Sequence, residues 1–250
     1  MSDIYDAPKS NLVAEPEFVE GYGSIEKGMA GDYTFKFGEI LSEAWDKTSG
    51  AKGTFLLAFL FYIIVMAIIS VPMEYIKLNL VKSAAEPSLI IIVTIVGQFI
   101  ANLVLLPIFA GVFILGVRRS VNAPIEAVSI FKYYNKTISL FFTMLLMYVM
   151  ILLGLILLII PGIYLMVAYF MAMPLVVEKG LSPWQALEVS RKTITHRWFA
   201  IFFFSIVVSL IMAVSMLPLG IGLIWTVPLM MIAYGILYRN MFGVETNTLK

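Results

Sequence analysis

Long apolar runs alternate along the chain with short stretches of strong amphipathic patterning. A bilayer core about 30 Å thick takes roughly 20 helical residues to cross, and six runs come near that length: 54–73, 88–117, 138–160, 163–177, 198–217 and 221–240. The second is longer than it needs to be and carries Pro107, whose missing N–H and ring predict a kink. The fourth is short, so it either starts within the Pro161-Gly162 turn or continues into the helix that follows.

The amphipathic stretch between the fourth and fifth runs reads as a helix with its own start signal. Ser182 suits an N-cap, Pro183 the first helical position, and Gln185 falls three residues after Ser182, the spacing of a capping box. Trp184, Leu187, Arg191, Ile194 and Trp198 share one face, while Gln185, Glu188, Lys192 and His196 take the other. Such a helix is expected to lie flat at the headgroup boundary, with the Trp rings at the level they prefer and the Arg191 stem snorkelling. The same design precedes the third run, where Pro124 matches Pro183 and Ile125, Val128, Phe131 and Tyr134 form a face. It also precedes the first, where Phe37, Ile40, Leu41, Ala44, Trp45 and Thr48 oppose Glu39, Glu43, Asp46 and Lys47.

Prolines supply a second register. Pro72, Pro161 and Pro218 are expected to close the odd-numbered spans, and Pro107, Pro174 and Pro228 to fall within or near the ends of the even ones. The closest correspondence is LPIFAGVFILGVRR with VPLMMIAYGILYRN, in which Arg118 and Arg239 each lie eleven residues after a proline. The pattern predicts an all-α membrane protein. Its six transmembrane helices form three parallel repeats, each an interfacial amphipathic helix followed by a transmembrane hairpin. The modules run over 36–117, 118–177 and 178–250, after a tail over 1–35. Parallel order sets them apart from the inverted repeats of many secondary transporters.

Composition agrees: 61% of residues are hydrophobic, 13% are charged and the mean hydropathy is +0.95, against about half and a quarter in soluble domains. With most residues in apolar runs, no room remains for a soluble catalytic domain. Fifteen of the 17 Lys and Arg fall on one side of the expected topology, and only Lys77 and Lys82 on the other. Both termini are therefore expected in the cytoplasm. The basic residues are dispersed and the formal net charge is +1, which makes nucleic acid a poor partner. Cysteine is absent, leaving no disulfide framework and no thiolate chemistry. Residues 1–33 hold seven acids against Lys9 and Lys27 and lack the basic-then-apolar order of a signal peptide, so they read as a disordered acidic tail.

Candidate chemistry is sparse. No ionisable residue sits at the centre of a span; Glu74 and Glu178 lie just past the ends of the first and fourth. Thr94, Gln98 and Asn102 follow one another at i,i+4 in the second span and are expected to face other helices, as packing glue or, alternatively, as the lining of a path. His196 is the only histidine, without a second ligand at helical spacing, and the span serines have no neighbouring base. No catalytic, metal or cofactor set is expected. Trp45, Arg118, Arg119, Trp184, Arg191, Trp198 and Arg239 are expected as interfacial contacts to membrane lipids.

Pro161-Gly162-Ile163, Pro174-Leu175-Val176-Val177-Glu178, Gly180-Leu181-Ser182-Pro183 and Ala186 with Ser190 resemble a stretch of the glycerophosphodiesterase membrane-domain and YciC-like groups of bacterial polytopic inner-membrane proteins. The resemblance covers about residues 156–200. It implies a bacterial inner-membrane protein concerned with envelope lipids and transfers no catalytic residue, because the phosphodiesterase domain of some members has no counterpart in the chain. The expected role is a non-enzymatic scaffold or accessory subunit that meets membrane lipids and another protein, or itself. A transporter or channel for a lipid or small amphipathic solute is the alternative.

Overall fold

A computed structural model of the chain describes residues 21–249. Among them every regular element is helical: α1 (Ile25–Ala30), α2 (Phe37–Thr48), α3 (Lys52–Lys82), α4 (Pro87–Ser120), a 3-10 segment (Ala127–Lys136), α5 (Thr137–Leu157), α6 (Ile159–Ala168), α7 (Ala172–Glu178), α8 (Pro183–Thr195), α9 (Trp198–Met216), α10 (Leu223–Phe242) and α11 (Thr246–Leu249). Five helical stretches are long and apolar enough to cross a membrane: 52–82, 87–120, 127–157, 159–178 and 198–216. The expected sixth span is present as α10 but is not one of them. Tyr234, Tyr238, Arg239 and Asn240 dilute its second half, and most of that half is buried inside the protein.

The apolar exterior is extensive. Ile68, Val71, Ile95, Phe142, Phe203 and Val214 all face outward, a surface that water would not tolerate and that lipid solvates. The chain is an integral membrane protein on this ground. Its interior is built around α4 and α10, whose buried residues include Ile108, Ile114 and Leu115 on one and Ile232, Ile236 and Leu237 on the other. These two helices cross at Gly116 and Gly235. A Cβ on Gly116 would fall on the Met231 carbonyl, and one on Gly235 on the Gly116 carbonyl group. Small residues allow backbones to approach in this way where apolar burial gives no preference for protein over lipid.

Several sequence expectations change here. Pro72 does not close its span: α3 continues ten residues beyond it, to Lys82. Pro107 and Pro228 lie within their helices, as expected of the even spans, but neither breaks its helix. Pro161 sits in the first turn of α6, not at the end of α5, whereas Pro218 lies in the turn that follows α9, as expected. Membrane helices tolerate proline because neighbouring groups can satisfy the freed carbonyl. The fourth span breaks at Tyr169–Met171, ahead of Pro174, and a side chain from α8 occupies the break: the Ser190 hydroxyl donates to Ala168 O at 2.7 Å and accepts from Met171 N at 3.2 Å.

The amphipathic segments also differ from one another. The first and third are helices, α2 and α8, and Gln185 Oε1 accepts from Ser182 N at 3.2 Å as the capping-box spacing predicts. The second is a 3-10 segment packed along α4. A Cβ on Gly111 would meet Ile130 O at 2.5 Å, and the Tyr134 hydroxyl donates to Val104 O. It therefore lies against protein, whereas the spacing predicted a position flat on the headgroups. The buried face of α8 is Ala186, Leu187, Ser190, Thr193 and Ile194, with Trp184 exposed. It is rotated from the predicted face because α8 packs on α5, α6 and α7.

Residues 21–35, expected within the disordered tail, are placed. Ser24 caps α1 by accepting from Lys27 N, and Gly31, at φ +78°, ends it. The segment lies across α8 and α10: Gly23 N donates to Arg239 O, the Tyr33 hydroxyl to Thr193 O, and His196 Nε2 stands 2.9 Å from Met29 O. His196, expected as a solvated or headgroup-facing residue, is exposed and also joins this strap to the end of α8. The tail over 1–20 lies outside the described residues.

Candidate functional site

At one end of the molecule charged side chains turn inward. Arg239, in the last turn of α10, is 7% exposed. Its Nη1 donates to Glu43 Oε1 at 2.7 Å and its Nη2 to Glu43 Oε2 at 2.6 Å, a fork that links α10 to α2; Nη1 also donates to Ser120 O at the end of α4. Two parallel N–H···O bonds fix both distance and orientation, which a lysine could not do. Arg118 donates to Pro124 O, Thr248 O and Leu249 O, and Arg119 to Lys47 O and Ser49 O. These carbonyls belong to chain ends and turns that lack helical partners. Arginines read as interfacial lipid contacts therefore hold protein to protein, and cationic groups near helix C-termini also suit the helix dipole.

A second cluster lies beside them. Glu178, whose side chain is fully enclosed, accepts from the Tyr238 hydroxyl at 2.9 Å, from Glu245 N at 2.6 Å and from Thr248 Oγ1 at 3.2 Å, with Lys179 Nζ 3.3 Å away. Glu245 lies 3.8 Å from Lys179. Burial, and then the neighbouring Glu178, push the Glu245 carboxyl above its ordinary value, while Lys179 pulls the other way. The carboxylate of Glu178 has its acceptor positions filled by donors, so the group completes a structural joint between the ends of α7, α10 and α11 and offers no open position to a substrate.

Deeper in the molecule α4, α5, α6, α7 and α10 surround an apolar cavity of about 450 Å3, bounded by residues such as Phe109, Phe113, Met147, Met173 and Tyr234. Pro174 is on its wall, and the breaks and crossings described above leave the space. Lining side chains without partner atoms forgo dispersion contacts.

The Thr94, Gln98 and Asn102 stripe is elsewhere. Thr94 Oγ1 donates to Ile90 O and Asn102 Nδ2 to Gln98 O, both within α4. Gln98 and Asn102 border a groove of about 410 Å3 along α3 and α4, together with Tyr62, Met66 and Ser70. Thr94 and Gln98 border a second one with Glu74 and Lys77. The stripe faces its own hairpin partner, α3, in a groove that opens to the outside, and the junction of α4 with the later helices is lined by other residues.

Of the remaining expected residues, Trp45 and Trp184 are exposed as lipid-level rings would be. Trp198 is partly buried and donates from Nε1 to Tyr164 O. Arg191 forms a fork to Glu188 at 3.0 and 2.8 Å, both side chains about one-third exposed, which holds the Glu188 carboxyl below its usual range. Sequence reasoning missed Glu43, Tyr238 and Glu245 as partners of buried charges, and Gly116 and Gly235 as a crossing point. The signals available were the two Pro-to-Arg spacings of eleven and glycines within otherwise bulky apolar runs. Among the described residues no group of three or more His, Cys, Asp or Glu could hold a metal ion. Compared with known families, curated proteins and solved structures, the chain finds no match.

Proposed function

We propose that the protein is a non-enzymatic, six-span protein of the bacterial inner membrane, built as three parallel modules with both termini in the cytoplasm. It acts as a scaffold or accessory subunit in envelope and lipid homeostasis. The observation that carries this reading is the direction of the buried charges. The Arg239–Glu43 fork ties the third module to the first, and Arg118 ties the second to the third through Thr248 O and Leu249 O. The polar chemistry thus rigidifies one end of the protein, leaving the exposed faces of α2 and α8, with Trp45 and Trp184, for lipid headgroups and a partner. Purification from native membranes in gentle detergent is expected to recover a second protein, or a defined self-assembly, in constant ratio. Recovery of the isolated monomer in every preparation overturns the accessory role.

A carrier or channel for a lipid or small amphipathic solute is the second reading, favoured by the groove beside Gln98 and Asn102. On the scaffold reading, Gln98→Leu with Asn102→Leu leaves the melting temperature and the phenotype of the strain unchanged, since both amides are reachable from outside and neither bridges modules. A normally folded double variant that loses function would transfer the assignment to the groove.

A further inference from the structure

At the corner between α8 and α9 the surface opens into a groove of about 500 Å3 whose lining divides by chemistry. The polar part, Thr195, His196 and Arg197, comes from the end of α8 and the turn after it; the apolar part, Ile160, Ile163 and Phe199, comes from α6 and the first turn of α9. Ile160 is 80% exposed and Phe199 72%, so the groove opens onto the apolar exterior. Arg197 immediately precedes the apolar run of α9, which places its guanidinium at the boundary between acyl chains and headgroups.

Arg197 is the lining residue with donors to spare. The other four arginines of the chain are committed: Arg118 and Arg119 to carbonyls, Arg191 to Glu188, and Arg239 to Glu43 and Ser120 O. Arg197 donates to no acceptor among the described residues. Its guanidinium lies over the Tyr33 ring, 5.6 Å from the centroid. Tyr33 is itself fixed, buried with its hydroxyl donating to Thr193 O. An aromatic ring takes the face of a guanidinium and leaves its N–H edge free, so this charge is held in one place beside the groove. Thr195 and His196, by contrast, already have partners in Arg191 O, the Tyr164 hydroxyl and Met29 O.

Two features select the occupant. An apolar wall beside one oriented cation suits an amphiphile with an anionic head, and a guanidinium matches phosphate oxygens in geometry as well as charge. No Asp or Glu lines the groove, so an ammonium headgroup would stand beside Arg197 with no carboxylate to meet it. We infer that this groove binds one anionic phospholipid of the phosphatidylglycerol type. Its phosphodiester oxygens accept from Arg197, and the first carbons of one chain lie along Ile160, Ile163 and Phe199 while the remainder stays in the bilayer. The site requires only that the protein is embedded in a membrane. It holds for the scaffold and the carrier reading alike, so failure to recover a partner protein leaves it unaffected.

The test is a lipid titration of the whole chain in detergent, read by native mass spectrometry, with phosphatidylglycerol and phosphatidylethanolamine of identical acyl chains. Phosphatidylglycerol is expected to bind several-fold more tightly. Arg197→Ala should weaken it about ten-fold, the scale of a lost hydrogen bond to a charged group, and Arg197→Lys should restore part of the loss. Lys192→Ala removes the same charge from the same helix outside the groove, from a side chain 51% exposed, and should leave binding within about two-fold, as expected of an exposed charge. Equal affinity for the two lipids overturns the site, and so does an effect of Lys192→Ala as large as that of Arg197→Ala, which would mean attraction by the general field alone. Displacement of the lipid by inorganic phosphate at equal concentration would reassign the groove to a soluble anion and overturn the lipid. If Arg197→Ala fails to fold, a phosphatidylglycerol with a diazirine in one chain decides the matter on the unaltered protein in nanodiscs: peptides containing Ile160–Tyr164 and Trp198–Ala200 should label several-fold more than the exposed face of α3 at Ile68 and Val71, and equal labelling overturns the site.

Discussion

Gly235→Ala is expected to cost at least about 3 kcal/mol, the upper part of the range for overpacking a well-filled interior, and to yield little folded protein. A Cβ there would coincide with the Gly116 carbonyl group, and its third contact is Val117 N at 2.7 Å. All three atoms belong to the α4 backbone, so no side chain can rotate away. The two helices would have to separate, exposing Arg239 and disturbing the Tyr238–Glu178 bond, both carried on α10 within four residues of the crossing. Thermal unfolding in detergent, followed with size-exclusion chromatography, reads the effect. Gly38→Ala is the control, because nothing lies within 4 Å of its Cβ position and alanine in a helix is favoured by about 0.5–1 kcal/mol. A Gly235→Ala protein that melts with the wild type would show that α4 and α10 are not in direct backbone contact.

Arg239→Ala is expected to destabilise the protein by about 3 kcal/mol, the low end for removing one member of a buried ion pair. The low end applies because Glu43 keeps 34% of its side-chain exposure and regains water once its partner is gone. Ser120 O, by contrast, loses a donor at a buried position. Arg239→Lys is expected to recover less than half of the loss, since one ammonium cannot reproduce the fork. Arg191→Ala, which removes a fork between side chains that are each about one-third exposed, should change stability by no more than about 1 kcal/mol. Equal effects at 191 and 239 in the same unfolding assay would mean that the inward pairing of Arg239 contributes nothing beyond a surface contact.

The difference between those two arginines marks how far sequence reading reached. Periodicity placed Arg191 on the face of an amphipathic helix and Arg239 at a span end. Neither placement tells whether a guanidinium reaches lipid headgroups or a carboxylate 196 residues away in the chain. Glu43 was legible only as part of the polar face of α2, and Glu178 only as a charge just past a span. Ser190 was visible as a letter in a family-like stretch, but its two bonds to the break at Tyr169–Met171 depend on α8 lying against α6 and α7.

The stripe at Thr94, Gln98 and Asn102 teaches the reverse lesson. Spacing correctly placed the three on one helix face, yet which neighbour that face meets is a matter of packing, and it meets α3 beside an open groove. The 3-10 segment departs from the expected surface helix for a related reason. An amphipathic pattern states that one side is apolar without stating whether lipid or protein covers it, and Gly111 admits Ile130 closely enough for protein to do so.

What the sequence determined by itself was local and additive. Hydropathy summed over twenty residues identifies membrane helices, proline and serine at the start of α8 mark its cap, and composition marks a membrane protein. Tertiary structure alone decided the crossing of α4 with α10, the partners of the buried charges, the strap over α8 and α10, and the groove beside Arg197. Each of these depends on residues distant in the chain coming within a few ångströms. Apolar periodicity cannot encode that proximity, because in a membrane lipid and protein are equally acceptable neighbours for an apolar side chain, and only shape and polar pairing choose between them.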